Sequence, residues 1–126
     1  MSRAGVVLDA GLFIAVERRD RVATHLVARF AREKTPLLTS AGVVAQVWRG
    51  GRDAQVAVAF LLRRTEVADL TNAAARTLGR MLGHTGTSDP IDAHVVLLAR
   101  ERGWPVLSSD VSDLLAIDPG LVVHTI

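Results

Sequence analysis

The sequence has no cysteine, one lysine (Lys34), and no apolar run approaching the roughly 20 residues that cross a bilayer. Without cysteine there is no disulfide framework and no thiolate metal site, which fits a reducing compartment. The four histidines, His25, His84, His94 and His124, do not fall at paired zinc-ligand spacing. Any bound metal is therefore expected to take oxygen ligands. No charged segment leads into a long apolar stretch near the start, so a cytoplasmic protein with no membrane partner is expected. Repeats and low-complexity segments are also lacking.

What remains is the profile of one globular domain over residues 1–126, with 49% hydrophobic residues, 22% charged residues and a net charge of +2. Fourteen of the fifteen basic residues are arginine, whose forked guanidinium suits phosphate contact. An arginine-biased genome gives the same count.

Short β-branched runs alternate with helical patterns. "GVVLDA" predicts a first strand, Val6 to Asp9, followed by a short helix, Leu12 to Glu17. In "RVATHLVARFAREK", Val22, Leu26, Val27 and Phe30 share one face, which predicts a helix from Arg21 to Lys34. "PLLTS" is a second strand, with Thr39 and Ser40 as candidate caps. "AGVVAQVWR" and "AQVAVAFLLRR" are helices parted by Gly50-Gly51. "EVADL" is a third strand, and "AAARTLGRMLG" a helix closed by Gly83. "GHTGTS" reads as a loop, and "DPIDAHVVLLARERG" as a buried helix opened by Pro90 and stopped by Gly103. "WPVLSSD", "VSDLLAI" and "LVVHTI" complete the chain as strand, helix and strand. Apolar strands alternating with helices predict an α/β fold: a three-layer α/β/α sandwich around a mainly parallel sheet of about five strands.

The stretch "TSDPIDAHVVLLARERGWPVLSSDVSD" carries Asp89, Asp92, Asp110 and Asp113, and Asp9 closes the first strand. Ligands of open parallel sheets gather at the carboxyl ends of the strands. Asp9 and Asp110 face the same edge if their strands are neighbours. Asp89 and Asp92, three apart at a helix start, can face one way. Each acid also has a structural role open to it, as a helix cap or a partner of the helix dipole. Gathered together, they repel. Two like charges about 4 Å apart cost roughly 4 kcal/mol at an effective dielectric of 20, a cost that a divalent cation removes. Mg2+ or Mn2+ suits such oxygen donors, and the chemistry implied is metal-assisted phosphodiester hydrolysis.

At these residues the chain resembles the PIN-domain ribonucleases, specifically the VapC toxins of VapBC toxin-antitoxin pairs. The likeness runs through "VVLDAGLFIAV", "TSAGVVAQVWRGG", "DPIDAHVVLLARERG" and "VLSSD". It implies an α/β/α sandwich that cuts RNA with Mg2+ or Mn2+ held by acids. By position, Asp9, Asp92 and Asp110 are the catalytic and metal-holding residues, and Asp113 matches a further acid. The resemblance also implies an RNA target, transfer or ribosomal, a VapB-like antitoxin whose C-terminal segment covers the site, and a homodimer.

Two positions depart from the pattern. The usual second acid falls at Gln46, a poorer metal ligand, and the usual serine or threonine two residues after the first Asp is Gly11. Asp89, one helical turn before Asp92, is expected to return the missing charge and join the metal site. In "WRGGR", Trp48, Arg49 and Arg52 are candidates for substrate contact with Gln46, because single-stranded RNA is commonly held by aromatic stacking and arginine-phosphate contacts. A core position for Trp48 is the competing reading. Dehalogenase-like phosphatases need an acid where Gly11 stands, and response-regulator receivers need a late lysine. Neither pattern is met. A PIN fold that has lost catalysis and binds RNA or protein is the alternative.

Overall fold

The computed structural model describes residues 4–51 and 53–126. Five strands are present: β1 (Val6–Leu8), β2 (Leu37–Ser40), β3 (Thr65–Ala68), β4 (Val106–Ser108) and β5 (Val123–Thr125). Seven α-helices join them: α1 (Ala10–Glu17), α2 (Arg21–Glu33), α3 (Ala41–Val47), α4 (Val56–Arg63), α5 (Asn72–Thr85), α6 (Pro90–Arg102) and α7 (Val111–Ile117). A 3-10 turn, Asp53–Gln55, precedes α4. The strand order is β3-β2-β1-β4-β5, and every pair is parallel.

β1 and β2 are almost wholly buried because helices cover both faces of the sheet. On one side α1 packs against α2, α3 and α4. On the other, α6 lies across β2, β1 and β4, with α5 and α7 beside it. The result is the expected three-layer α/β/α sandwich. Its buried apolar side chains form one cluster, including Leu8, Phe13, Leu38 and Leu61. α6 turns Ala93, Val95, Val96, Leu98 and Ala99 inward, as its unbroken apolar middle requires. No helix among the described residues is long and apolar enough to cross a membrane.

Several boundaries differ from the sequence reading for local reasons. α1 begins at Ala10, two residues early, because Asp9 caps it. α5 runs past Gly83 to Thr85 and stops at Gly86, which supplies the left-handed conformation at φ 70°. Gly83 therefore sits inside the helix. α3 ends at Val47, leaving Trp48 and Arg49 in the connection. Val22 belongs to the apolar face expected of α2, yet it is 69% exposed, and Ala23 is the buried residue. Helical periodicity defined the stripe but not how far neighbouring elements cover it.

Candidate active site

Backbone pairing sets the site's first two acids. β1 and β4 are adjacent, with Leu8 opposite Leu107, so Asp9 and Asp110 emerge at the same carboxyl edge. Asp9 is 4% exposed, and both its oxygens are occupied. Ala10 N–H donates to Oδ1 (2.8 Å), and the Ser108 hydroxyl donates to Oδ2 (2.7 Å). The same Ser108 Oγ accepts from the Asp110 N–H (2.9 Å). One buried hydroxyl thus ties the first acid to the backbone of the second. Asp110 stands at the cap position of α7, but its side chain makes no capping bond, which leaves the carboxylate free for a ligand.

α6 delivers the next two acids. Asp89 caps the helix, its Oδ1 accepting from Ile91 N–H (2.8 Å) and Asp92 N–H (3.2 Å), with Pro90 opening the first turn. Asp92, in that first turn, is carried toward Asp9 because α6 crosses β1, β2 and β4. Burial first, and then the charges of Asp89, Asp9, Asp113 and Asp110, raise its carboxyl from 3.8 to about 6. Burial disfavours the ionised form, and the nearby acids add to that effect. The other four acids singled out from the sequence thus all lie close enough to act on Asp92. A cavity of about 320 Å³ opens beside them, lined by Thr87, Ser88, Asp89, Asp92 and Asp113 among others.

The other candidates lie further out. Gln46 is exposed on α3, one turn beyond Gly42. A Cβ on Gly42 would come within 2.8 Å of Ile91 Cγ1, so a small residue there lets α3 approach the start of α6. Trp48 is 40% exposed, not a core residue. Arg49 spends Nη1 on the carbonyls of Ala45 (3.0 Å) and Trp48 (2.9 Å), closing the end of α3. Arg52 lies outside the described residues.

Two residues of structural weight had escaped notice. Ser108 is one; a hydroxyl two residues before an acid at a strand end was the available signal. Gln55 is the other, buried and bonded through its amide to Arg49 N–H, Val47 C=O and Glu17. Nothing in its surroundings in the sequence marks it, since its partners come from different segments. His94, two residues after Asp92, points into the core. Burial holds its imidazole below the ordinary value, against the opposing pull of Glu101.

The donor set is all carboxylate, the chemistry that suits a hard divalent cation. Among the described residues, however, no three His, Cys, Asp or Glu side chains are grouped closely enough to hold a metal ion. The acids share an electrostatic neighbourhood without forming a ready ligand cage.

The fold is a parallel α/β/α sandwich with acids near the carboxyl edge of its sheet. The model of the PIN domain matches residues 6–117, from β1 to the end of α7, and the chain belongs to the PIN domain family. PIN domains are in general nucleases that use divalent metal ions. No curated protein matches this chain. Among solved structures it is similar to VapBC2 from Rickettsia felis bound to a promoter DNA fragment, at 14% identity and a TM-score of 0.69, covering 96% of this chain and 98% of that one. PAE2754 from Pyrobaculum aerophilum is similar at 18% identity and a TM-score of 0.64, covering 95% and 83%. FitAcB from Neisseria gonorrhoeae is similar at 17% identity and a TM-score of 0.58, covering 94% and 96%.

Proposed function

We propose that the protein is a metal-dependent endoribonuclease, the toxin of a type II toxin-antitoxin pair of the VapBC kind. The observation that carries this reading is the PIN domain match over residues 6–117, within which Asp9 and Asp110 emerge at one carboxyl edge and Asp89, Asp92 and Asp113 lie nearby. Asp9, Asp92 and Asp110 are the residues assigned to hold Mg2+ or Mn2+, with Asp89 and Asp113 adding charge. The bound ion would supply an activated water and offset charge growing on the scissile phosphate. The chain's part is to orient and ionise. Ser108 and Ala10 hold the Asp9 carboxylate in place, and a bound cation would favour the ionised form of Asp92. Asp89 is assigned the charge missing at Gln46, using the oxygen not engaged in capping. Gln46, Trp48, Arg49 and Arg52 are assigned to the RNA, transfer or ribosomal.

The partner in this reading is a VapB-like antitoxin segment. A largely apolar trough of about 670 Å³, lined by Gly11, Ile14, Ala15, Ser109 and Ile126, continues past Arg18 and Asp20 to the exposed Val22 on α2. A segment with an apolar face and a basic residue opposite Asp20 would fit it. Self-association as a homodimer belongs to the same reading.

The alternative, a PIN fold that binds RNA or protein without cutting it, is favoured by the absence of a formed metal-ligand group among the described residues and by the neutral Gln46. Purified protein incubated with mixed transfer and ribosomal RNA in Mg2+, in Mn2+ and in EDTA separates the two. Cleavage that needs metal and is abolished by Asp9→Ala supports the nuclease. Intact RNA in every condition, with folded protein free of antitoxin, supports the binding module.

A further inference from the structure

Basic charge is unevenly spread over the chain. Residues 18–32 hold five arginines and one aspartate, a net +4 in a protein whose total is +2, so the remainder is acidic on balance. Arg18, Arg19, Arg21, Arg29 and Arg32 are all exposed, as is His25. Along α2, Arg21, His25, Arg29 and Arg32 follow one another at spacings of four, four and three, which sets them in a row on one helical face. His25, Arg29 and Arg32 border a groove of about 530 Å³ whose apolar lining comes from Val22, Leu26 and Ala28.

Helix stability does not account for this placement. The N-terminus of a helix carries partial positive charge and disfavours cations. Arg18, Arg19 and Arg21 nevertheless gather at the start of α2, whose first turn holds no acid. Asp20 is used as the cap, accepting from the Ala23 N–H (2.9 Å). Arg19 adopts a left-handed backbone at φ 59°, a conformation that favours glycine. Among the described residues Arg18, Arg19, Arg21 and Arg32 form no ion pair, and Arg29 meets Glu33 through Nε alone (3.1 Å). That pair is exposed, the kind that contributes little. A row of cations set against the helix dipole and left largely unneutralised is suited to a polyanion.

The row repeats once per helical turn, about every 5 Å, and spans roughly 17 Å from Arg21 to Arg32. A nucleic-acid strand carries a phosphate on every nucleotide and can meet such a row along its whole length. A protein segment would need acids repeated at the same intervals. Arginine adds a fork of donors that matches phosphate oxygens. We propose that the exposed face of α2 is a docking surface for the phosphate backbone of RNA, an anchor separate from the acid edge. The inference rests on the RNA-directed reading above and adds a second contact region to it. None of the five acids lines this groove, so the face grips the strand and takes no part in cutting it.

The test combines Arg21→Gln, Arg29→Gln and Arg32→Gln in the full chain. Affinity for a fluorescent single-stranded RNA is read by anisotropy in EDTA over a range of salt concentrations, and KM, kcat and the half-saturating Mn2+ concentration are read in cleavage. The glutamine triple should bind roughly tenfold or more weakly, and its plot of log affinity against log salt should be shallower by about 2, the share of three single-strand phosphate contacts. KM should rise while kcat and the Mn2+ requirement stay as in the wild type. The matching lysine triple keeps the charge and should keep the slope. Arg63→Gln, Arg76→Gln and Arg80→Gln, which remove the same charge from α4 and α5, should also leave the slope unchanged. Thermal melting shows that each variant is folded. Wild-type affinity and slope in the glutamine triple would overturn the proposal while leaving the nuclease intact. An equal loss in the α4 and α5 variant would overturn it too, by showing that net charge alone acts. So would a loss confined to an acidic peptide with RNA binding intact, which would assign the face to a protein partner. Weakened RNA binding in the triple, with a wild type that binds RNA and does not cut it, would uphold the anchor and remove the nuclease reading. A wild type that neither binds nor cuts RNA would overturn both.

Discussion

Asp92→Asn should make the metal-free protein more stable at pH 7. The substitution keeps the shape of the protonated side chain and removes a charge that burial and then four other acids oppose. In the unfolded chain this carboxyl titrates at its ordinary value of 3.8, and in the fold at about 6. Below 3.8 both states are protonated, and the group's contribution to stability is fully present. Between 3.8 and about 6 the unfolded chain ionises first, so stability is lost as pH rises through the folded value. The full interval corresponds to roughly 3 kcal/mol. The side chain is only partly buried, and solvent screening reduces that to about 1–2 kcal/mol. Urea denaturation in EDTA at pH 7 and again near pH 4 reads this directly. The variant should gain about 1–2 kcal/mol at pH 7 and almost nothing near pH 4. Mg2+ or Mn2+ should then stabilise the wild type more than the variant. A variant no more stable than wild type at pH 7, or equally stabilised at both pH values, would refute the claim that these acids share one electrostatic neighbourhood.

Two further substitutions probe the same edge. Asp89→Asn keeps a capping oxygen and removes a charge, so stability should stay near wild type while NMR titration shows the Asp92 carboxyl moving toward its ordinary value. Asp89→Ala should also lose the cap, at a cost of about 1 kcal/mol. If Asp89→Asn leaves Mn2+ affinity unchanged, Asp89 is a cap and not a ligand. Ser108→Ala removes a buried bond to a carboxylate and strands the Asp110 N–H, which should cost about 2–4 kcal/mol in urea denaturation. Hydrogen exchange at the Asp110 amide should quicken; an unchanged rate would mean the hydroxyl does not hold that amide.

The parts of the fold that depend on neighbours in the chain were readable. Pro90 and Gly103 bounded α6, and short β-branched runs ending in an acid located β1 and β4. What could not be read was pairing. Asp9 and Asp110 meet only because β1 sits between β2 and β4, a choice made by tertiary packing. For the same reason the apolar face shared by Val22, Leu26, Val27 and Phe30 did not reveal which of its residues would be covered. Its spacing marks a helical face, but only the surrounding elements determine that Ala23 is covered and Val22 is not. Gln55 was invisible because no period or motif describes an amide satisfied by several segments at once.

The hydrogen bond from Ser108 to Asp9 joins residues 99 positions apart. A ribosome adding roughly 5–20 residues per second needs on the order of 5–20 s to make the second partner after the first. During that interval β1 can already lie against β2, and β2 against β3. β4 and the acids beyond it have not yet emerged. The carboxylate edge is therefore completed only after β4 has been made, and until then the growing chain carries Asp9 without its partners. Whatever chemistry this edge performs waits on that later segment of the chain.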